Sequence, residues 1–481
     1  MESKEEGRLF SYNNDRKRKG GVLMQTTTDF TQGNVRSAIL RFYFPMLVTA
    51  MLQQLYSFAD TAIVGKGLGD HALAAVGNMS SLCFLVIGFS MGLSNGFSVL
   101  IAQYYGEKNY PRLRKTLVSM LRLALCITAA LTAVSLIFLR TVLVLLQTDA
   151  AILDDSLRYG SVIFGGLFTA IAYNMSAGVL RSLGDSRTPL KAIVLSSILN
   201  ILMDCLFIFV LHTGVWGAAA ATVISQMISA AVCLRKLKQI PFLRMEKSDL
   251  QNDWRLNYQL MKNGVPMALM NSITAVGCMA VQYYVNGLGI AYTSAYSACS
   301  KYLNMFMQPA SIAGATMSAY TGQNYGARRF DRIREGINIC LSIAGISYLV
   351  FGSVMFFCPR WLASLLLQGA EPIAYAAEFL PICGVMLFAV DLLFVYRNAV
   401  QGMGFPFVPM LSGILEMILR IGAISILIGQ WGFRATAFAE ICAWSGALLM
   451  NLMTFHHILR REKRKTLLCP QSRSHIPAAA S

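Results

Sequence analysis

AQYYGEKNY, residues 102–110, returns as GQNYGARRF at residues 322–330, so that Gly106 and Gly326 stand 220 positions apart. The same offset pairs VLRSLGDSRTP (179–189) with AVQGMGFPFVP (399–409), setting Gly184 against Gly404 and Pro189 against Pro409. GVWGAAAAT (214–222) matches GQWGFRATA (429–437) with a shift of 215, and Pro45 and Pro266 stand near the start of the two halves, 221 apart. Four matches in chain order at nearly one offset mark an internal repeat.

What repeats is a set of apolar segments. The 481 residues are 55% hydrophobic and 14% charged, with a mean hydropathy of +0.53. Soluble chains carry roughly a quarter charged residues. A bilayer-crossing helix needs about 20 mostly apolar residues. Windows of that length predict twelve spans, at 37–64, 72–103, 114–139, 157–180, 189–211, 215–234, 257–286, 292–321, 335–357, 373–400, 407–428 and 434–458. The expected fold is an all-α polytopic membrane protein. It has an N-terminal extension (1–35), two six-helix bundles (36–235 and 257–460), a linker (236–256) and a tail (461–481). Six spans return the chain to its starting side, so the bundles share one orientation, related by a pseudo-two-fold axis along the membrane normal. A cleft between such bundles can open to each side in turn.

The net charge of +17 does not point to nucleic acid once its distribution is read. With the N-terminus cytoplasmic, 33 Lys and Arg fall in cytoplasmic segments and five outside, with Lys301, Arg397 and Arg420 inside spans. That asymmetry sets both termini in the cytoplasm. RKRKG (16–20) and RREKRK (460–465) then hold the chain ends at an anionic leaflet. No signal peptide precedes the first span. Eleven cysteines without a CxxC read as small apolar packing residues, and neither a metal site nor a cofactor site is expected. No phosphate-binding loop and no nucleophile–base pair appears, so an enzyme is not expected.

Acids inside spans are costly, by roughly 2.5–3.5 kcal/mol each, and point to function. Asp60 is the only charge between Phe42 and Gly65, and Asp204 the only one in ILNILMDCLFIFV (198–210). At 1.5 Å per residue they lie about 28 Å and 20 Å from the cytoplasmic ends of their helices. Asn200 shares a helix face with Asp204, and Thr222 follows on the next span. Two acids, an amide and a hydroxyl make an oxygen-rich pocket suited to a proton or a monovalent cation. The alternatives are a helix cap for Asp60 and a plain hydrogen-bond acceptor for Asp204. In the second half the repeat puts Arg420 opposite Asn200 and Ile424 opposite Asp204, so the pocket is not duplicated. Glu416 and Arg420 are i, i+4 and able to pair. With Asp391 and Arg397 they form either a neutralised structural cluster or a substrate-facing patch. Polarity and position add Gln54, Asn174, Gln282, Tyr283, Asn304 and Gln308 as cleft candidates.

PMLVTAMLQQLYSFADTAIVGKGLGDHALAAVG, residues 45–77, resembles the first-helix signature of multidrug and toxic compound extrusion (MATE) transporters. The doubled Q-x-Y-G and G-x(4)-P elements are similar to that family's too, over residues 36–460. The resemblance implies twelve helices and export driven by exchange for H⁺ or Na⁺. Asp60 matches the family's first-helix aspartate, and Asn200-x-x-x-Asp204 resembles the coupling-ion site of its DinF-like branch. Thr222 and Tyr159 match positions near that site, and Asp391 resembles a tenth-helix acid. No seventh-helix acid is present, which favours coupling through the N-terminal bundle. The expectation is therefore a cation-coupled antiporter of the inner membrane. It acts as a monomer among membrane lipids and exports amphipathic organic compounds. A lipid-linked sugar flippase, suggested by Lys301, Arg397 and Arg420, and an uncoupled channel are the rivals.

Overall fold

The structure is a computed structural model and describes residues 28–145 and 148–468. RKRKG and the rest of the extension through residue 27, and the tail beyond 468, lie outside the described residues. The first half holds α1 (Val35–Leu68), α2 (Asp70–Gly106), α3 (Tyr110–Leu145), α4 (Ala150–Gly165), α5 (Leu167–Ser182), α6 (Arg187–Cys205) and α7 (Val215–Lys238). The second holds α8 (Trp254–Leu288), α9 (Ile290–Phe306), α10 (Gln308–Gly326), α11 (Phe330–Phe357), α12 (Pro359–Leu366), α13 (Ala370–Gly402), α14 (Phe407–Trp431) and α15 (Arg434–Leu468). The described residues form no strand.

Among the described residues, ten helices are long and apolar enough to cross a membrane, eleven when α4 and α5 form one span bent by 44° at Gly166. The expected span 292–321 falls on α9 and α10, interrupted at Met307. Neither piece is among the ten, and Lys301, Asn304 and Gln308 make this span less apolar than the others. Counting both broken spans and setting aside eight-residue α12, the described helices order into twelve rods, six per half. Large apolar side chains such as Leu121, Leu125, Ile137 and Phe138 of α3 are exposed, as a lipid-facing surface requires.

The repeat is visible in the backbone. Helix ends at Gly106 and Gly326, and at Ser182 and Gly402, keep the 220 offset. So do the left-handed turn residues Lys108 (φ 58°) and Arg328 (φ 57°). Gly69 (φ 84°) alone joins α1 to α2, as Gly289 (φ 121°) joins α8 to α9. One match needs correction. The shift of 215 set Gly214 against Gly429, but Gly429 lies inside α14. Gly432 (φ 53°) is the residue that starts a span as Gly214 (φ 66°) does, because only a glycine turns there without strain.

The first helix of each half crosses to the other. Val35, Ile39, Phe42 and Tyr43 of α1 pack in the core of the second bundle, while Ile63 and Val64 pack in the first. Leu256, Leu260 and Ala268 of α8 pack in the first bundle, while Val281 and Val285 pack in the second. Pro45 and Pro266 lie inside these two helices, each removing one N–H from the helical ladder near the crossing. The linker is clasped to α3. Arg114 donates to Asp249 (2.8 Å) and pairs with Glu246 (3.0 Å), and Arg122 donates to the Leu250 carbonyl. Burial opposes the charge on Asp249. The Glu246 N–H and the Arg114 guanidinium outweigh it and hold the carboxyl below its ordinary range.

Candidate ion and substrate site

Asp60 on α1 lies against Asp204 on α6. α6 buries one stripe, Ile193, Ser196, Asn200 and Asp204, and widens into a π turn over Leu206–Val210 just after the acid. Asn200 and Asp204 are 1% and 0% exposed, so neither reaches bulk solvent. No hydrogen-bond partner reaches Asp60 Oδ1, either oxygen of Asp204, or the amide oxygen and nitrogen of Asn200. Tyr56 and Tyr159 stand within electrostatic reach of both acids. Thr222 is half-buried on α7 and spends its hydroxyl on the Ala218 carbonyl (3.1 Å). Two carboxylates cannot both stay charged in a dry pocket; one proton or one monovalent cation shared between them removes most of the cost. Asp60 is not the cap of the next span: α2 begins after Gly69, nine residues on.

The second bundle holds a different arrangement. Glu416 on α14 accepts from Arg397 on α13 (2.6 Å) and from Arg420 one turn on (3.0 Å). Arg420 also donates to Glu440 on α15 (2.9 Å). All four side chains are buried, and Gly277 on α8 leaves room for the Arg420 guanidinium. Two cations and two anions cancel. Asp391 is fully buried beside Tyr43 of α1, with both carboxyl oxygens unpartnered. Of the two readings open for Asp391, Arg397, Glu416 and Arg420, the structure favours the structural cluster over the substrate-facing patch: Arg397, Glu416 and Arg420 are buried in a neutralised network with Glu440, and Asp391 is buried apart from it.

Gln54, Tyr283 and Asn304 are exposed, and Asn174, Gln282 and Gln308 are half-buried. Gln282 donates to Asn286 (2.7 Å). Asn304 shares an exposed face of α9 with Ser297 and Lys301, and that face continues toward Ala315, Ser318 and Gly322 of α10, where α10 meets α2.

At the end that carries the basic loops, the bundles are latched. Gln103 donates to the Gly402 carbonyl (3.1 Å), and Gln323, its repeat partner, donates to the Ser182 carbonyl (2.7 Å), the repeat partner of Gly402. A Cβ on Gly106 would collide with the Gln323 carbonyl, and one on Gly326 with the Gln103 carbonyl. A strap overlies the latch. Thr28 N–H reaches the Gly184 carbonyl in the first bundle (3.1 Å). Phe30 is fully buried in the second, its N–H on Gln323 Oε1 (3.0 Å) and its carbonyl on Arg332 (3.0 Å). Among the described residues every hydrogen bond between the bundles lies from this end to the level of Gly88, the midpoint of α2. Gln103→Ala removes one bond worth about 1 kcal/mol, a roughly fivefold population shift toward the unlatched state, and Gln323→Ala removes two, to the Ser182 carbonyl and from the Phe30 N–H, for a larger shift of about 2 kcal/mol. Distances between spin labels on the α2–α3 and α10–α11 turns would read it; unchanged distributions in both variants would mean that the latch does not hold the bundles.

Sequence reading had not singled out Gln103, Gln323, Phe30 or Glu440. The first two were legible, since both stand inside the repeated Q-x-Y-G element. Glu440 had no local signal, because its partner is 20 residues back on another helix.

Against known proteins, a family model described as MatE matches residues 45–206 and 266–424. The chain is 27% identical to the "Probable multidrug resistance protein YpnP" of Bacillus subtilis over 423 residues, 87% of this chain and 91% of that protein. It is 29% identical to "Probable multidrug resistance protein YoeA" of the same organism, over 71% of this chain and 75% of that one. A solved structure described as "Crystal structure of MATE in the bent conformation" superposes with a TM-score of 0.86 at 21% identity, covering 92% of this chain and 99% of that one.

Proposed function

Because the chain belongs to the MATE family of transporters, we propose that it is an antiporter that exports amphipathic organic compounds in exchange for H⁺ or Na⁺. It sits in the inner membrane as a monomer with both termini cytoplasmic. The basic end is then the cytoplasmic face, and the latched arrangement is the outward-facing one. The observation that carries the reading is the Asp60–Asp204 pair with Asn200 in the first bundle, with five buried polar atoms that have no hydrogen-bond partner.

The cycle follows from that pocket. In the outward state a proton or monovalent cation enters between the two carboxyls. Charge is neutralised and helix packing around α1 and α6 changes. An ion can drive this only as far as its affinity differs between the two packings. Because α1 packs its other half on the second bundle, movement at Asp60 is transmitted to the latch. Substrate leaves outward, the latch parts, the ion is lost to the cytoplasm and substrate rebinds.

The test is transport in reconstituted vesicles under a proton gradient or a sodium gradient, with a panel of fluorescent amphipathic dyes of either charge. Wild type should move dye uphill under one gradient. Asp60→Asn and Asp204→Asn should each abolish uphill movement while leaving dye binding within about threefold. Coupled transport retained in both variants would remove this pocket from the mechanism.

A further inference from the structure

Just above the latch, on the pseudo-symmetry axis, lies a cavity of about 80 Å³. Both bundles line it: Asn95, Ser98 and Arg181 from the first, Ser318, Asn398 and Gln401 from the second. Arg181 and Gln401 are repeat partners, so the pair breaks the symmetry with a single charge. No carboxylate lies within ion-pair distance of the Arg181 guanidinium among the described residues, and Ser98 Oγ is buried without a partner.

A cation in the last turn of a helix complements the helix dipole, and Arg181 is the basic residue of the last turn of α5. A dipole contact is satisfied on the helix's own surface. It does not require neutral hydrogen-bonding groups from the opposite bundle around the guanidinium. The placement of the other charges adds a second argument. Five acids of the spans are withdrawn toward the bundles, the half-buried Asp60 and the buried Asp204 in the first and Asp391, Glu416 and Glu440 in the second, while the exposed Glu378 of α13 is paired with Arg434 (3.0 Å). Lys301, exposed on the α9 face that continues to Ser318, has no ion-pair partner among the described residues. A lysine there would be costly against lipid and is at ease in a wet cleft. The free charges along the path between the bundles are therefore positive.

We infer that this cavity binds an anionic group (carboxylate, sulfonate or phosphate) of the exported compound, with Arg181 as its counter-charge and Lys301 on the approach. The volume suits such a group and not a whole amphiphile, whose apolar part stays higher in the cleft. The inference rests on the export reading for its ligand and not for its charge selectivity. A guanidinium meets such a group with two parallel N–H donors.

Two measurements decide it. Rhodamine 110 and its methyl ester rhodamine 123 differ in one carboxylate, and their binding to purified protein is read by fluorescence anisotropy. Wild type should bind rhodamine 110 more tightly. Arg181→Gln should weaken rhodamine 110 at least tenfold and rhodamine 123 less than twofold, and Arg181→Lys should recover part of the loss. Equal losses for both dyes, or none, overturn the assignment. The second measurement needs no transported compound. Ser318→Cys should react faster with sulfonatoethyl methanethiosulfonate than with its trimethylammonium analogue, read by mass spectrometry at that residue. Arg181→Gln should remove the preference. If the reagents show no such preference, the site is not anion-selective. If neither dye binds while the preference holds, these amphiphiles are not substrates and the anion site stands.

Discussion

Arg420→Met is expected to cost about 3–5 kcal/mol of stability, the largest loss for any single side chain in the second bundle. With Arg420 gone, Arg397 stays on Glu416, and Glu440 keeps no cationic partner. The reason is the uncompensated buried charge and not the loss of two hydrogen bonds as such. The double variant Arg420→Met/Glu440→Leu restores neutrality around the Arg397–Glu416 pair and should recover most of the loss. Thermal unfolding in detergent, followed by tryptophan fluorescence, separates the two. A double variant as unstable as the single one would mean that the guanidinium matters through packing against Gly277 and α8, and the charge argument would fall.

Gly326→Val is expected to abolish transport by a different route. Its added carbons would occupy the position of the Gln103 carbonyl in the latched state, against backbone that cannot move aside. The latch then cannot close and the molecule is confined to its other state. Gly106→Val should do the same against Gln323, since the two contacts are related by the repeat. The folded bundles need not suffer, because neither glycine has positive φ and both end helices that continue well before them. Spin-label distances across the basic end should report a single, wide separation in both variants. A normal latched population in either would show that the close approach is tolerant of a side chain.

Much of this arrangement can be read from the chain. The 220 offset holds to the residue between the helix ends Gly106/Gly326 and Ser182/Gly402, because turn chemistry repeats with the helices, although the spans read from hydropathy stop two to five residues short of them. Asp60, Asn200 and Asp204 stand out because each is a polar group in an otherwise apolar window, and the structure brings the two acids together. Three things were not legible. Arg397, Glu416 and Arg420 look the same in sequence whether they face a cleft or close on one another; only the arrival of Glu440 from α15 decides. The segment before α1 reads as a polar leader, yet Phe30 is a buried plug, and one aromatic residue carries no periodicity. Arg181 reads as one more basic residue at a loop, and its placement on the axis depends on how two bundles meet.

The crossing of α1 and α8 bears on how the chain is made. The bed for Phe42 and Tyr43 is built from α10, α11 and α13, some 300 residues further along the chain. At roughly 5–20 residues per second of synthesis, the first helix waits on the order of 15–60 s with that face unsheltered. The first half therefore cannot mature as an independent unit at the ribosome, and a chain interrupted after the linker leaves a helix whose lower half has nowhere to dock.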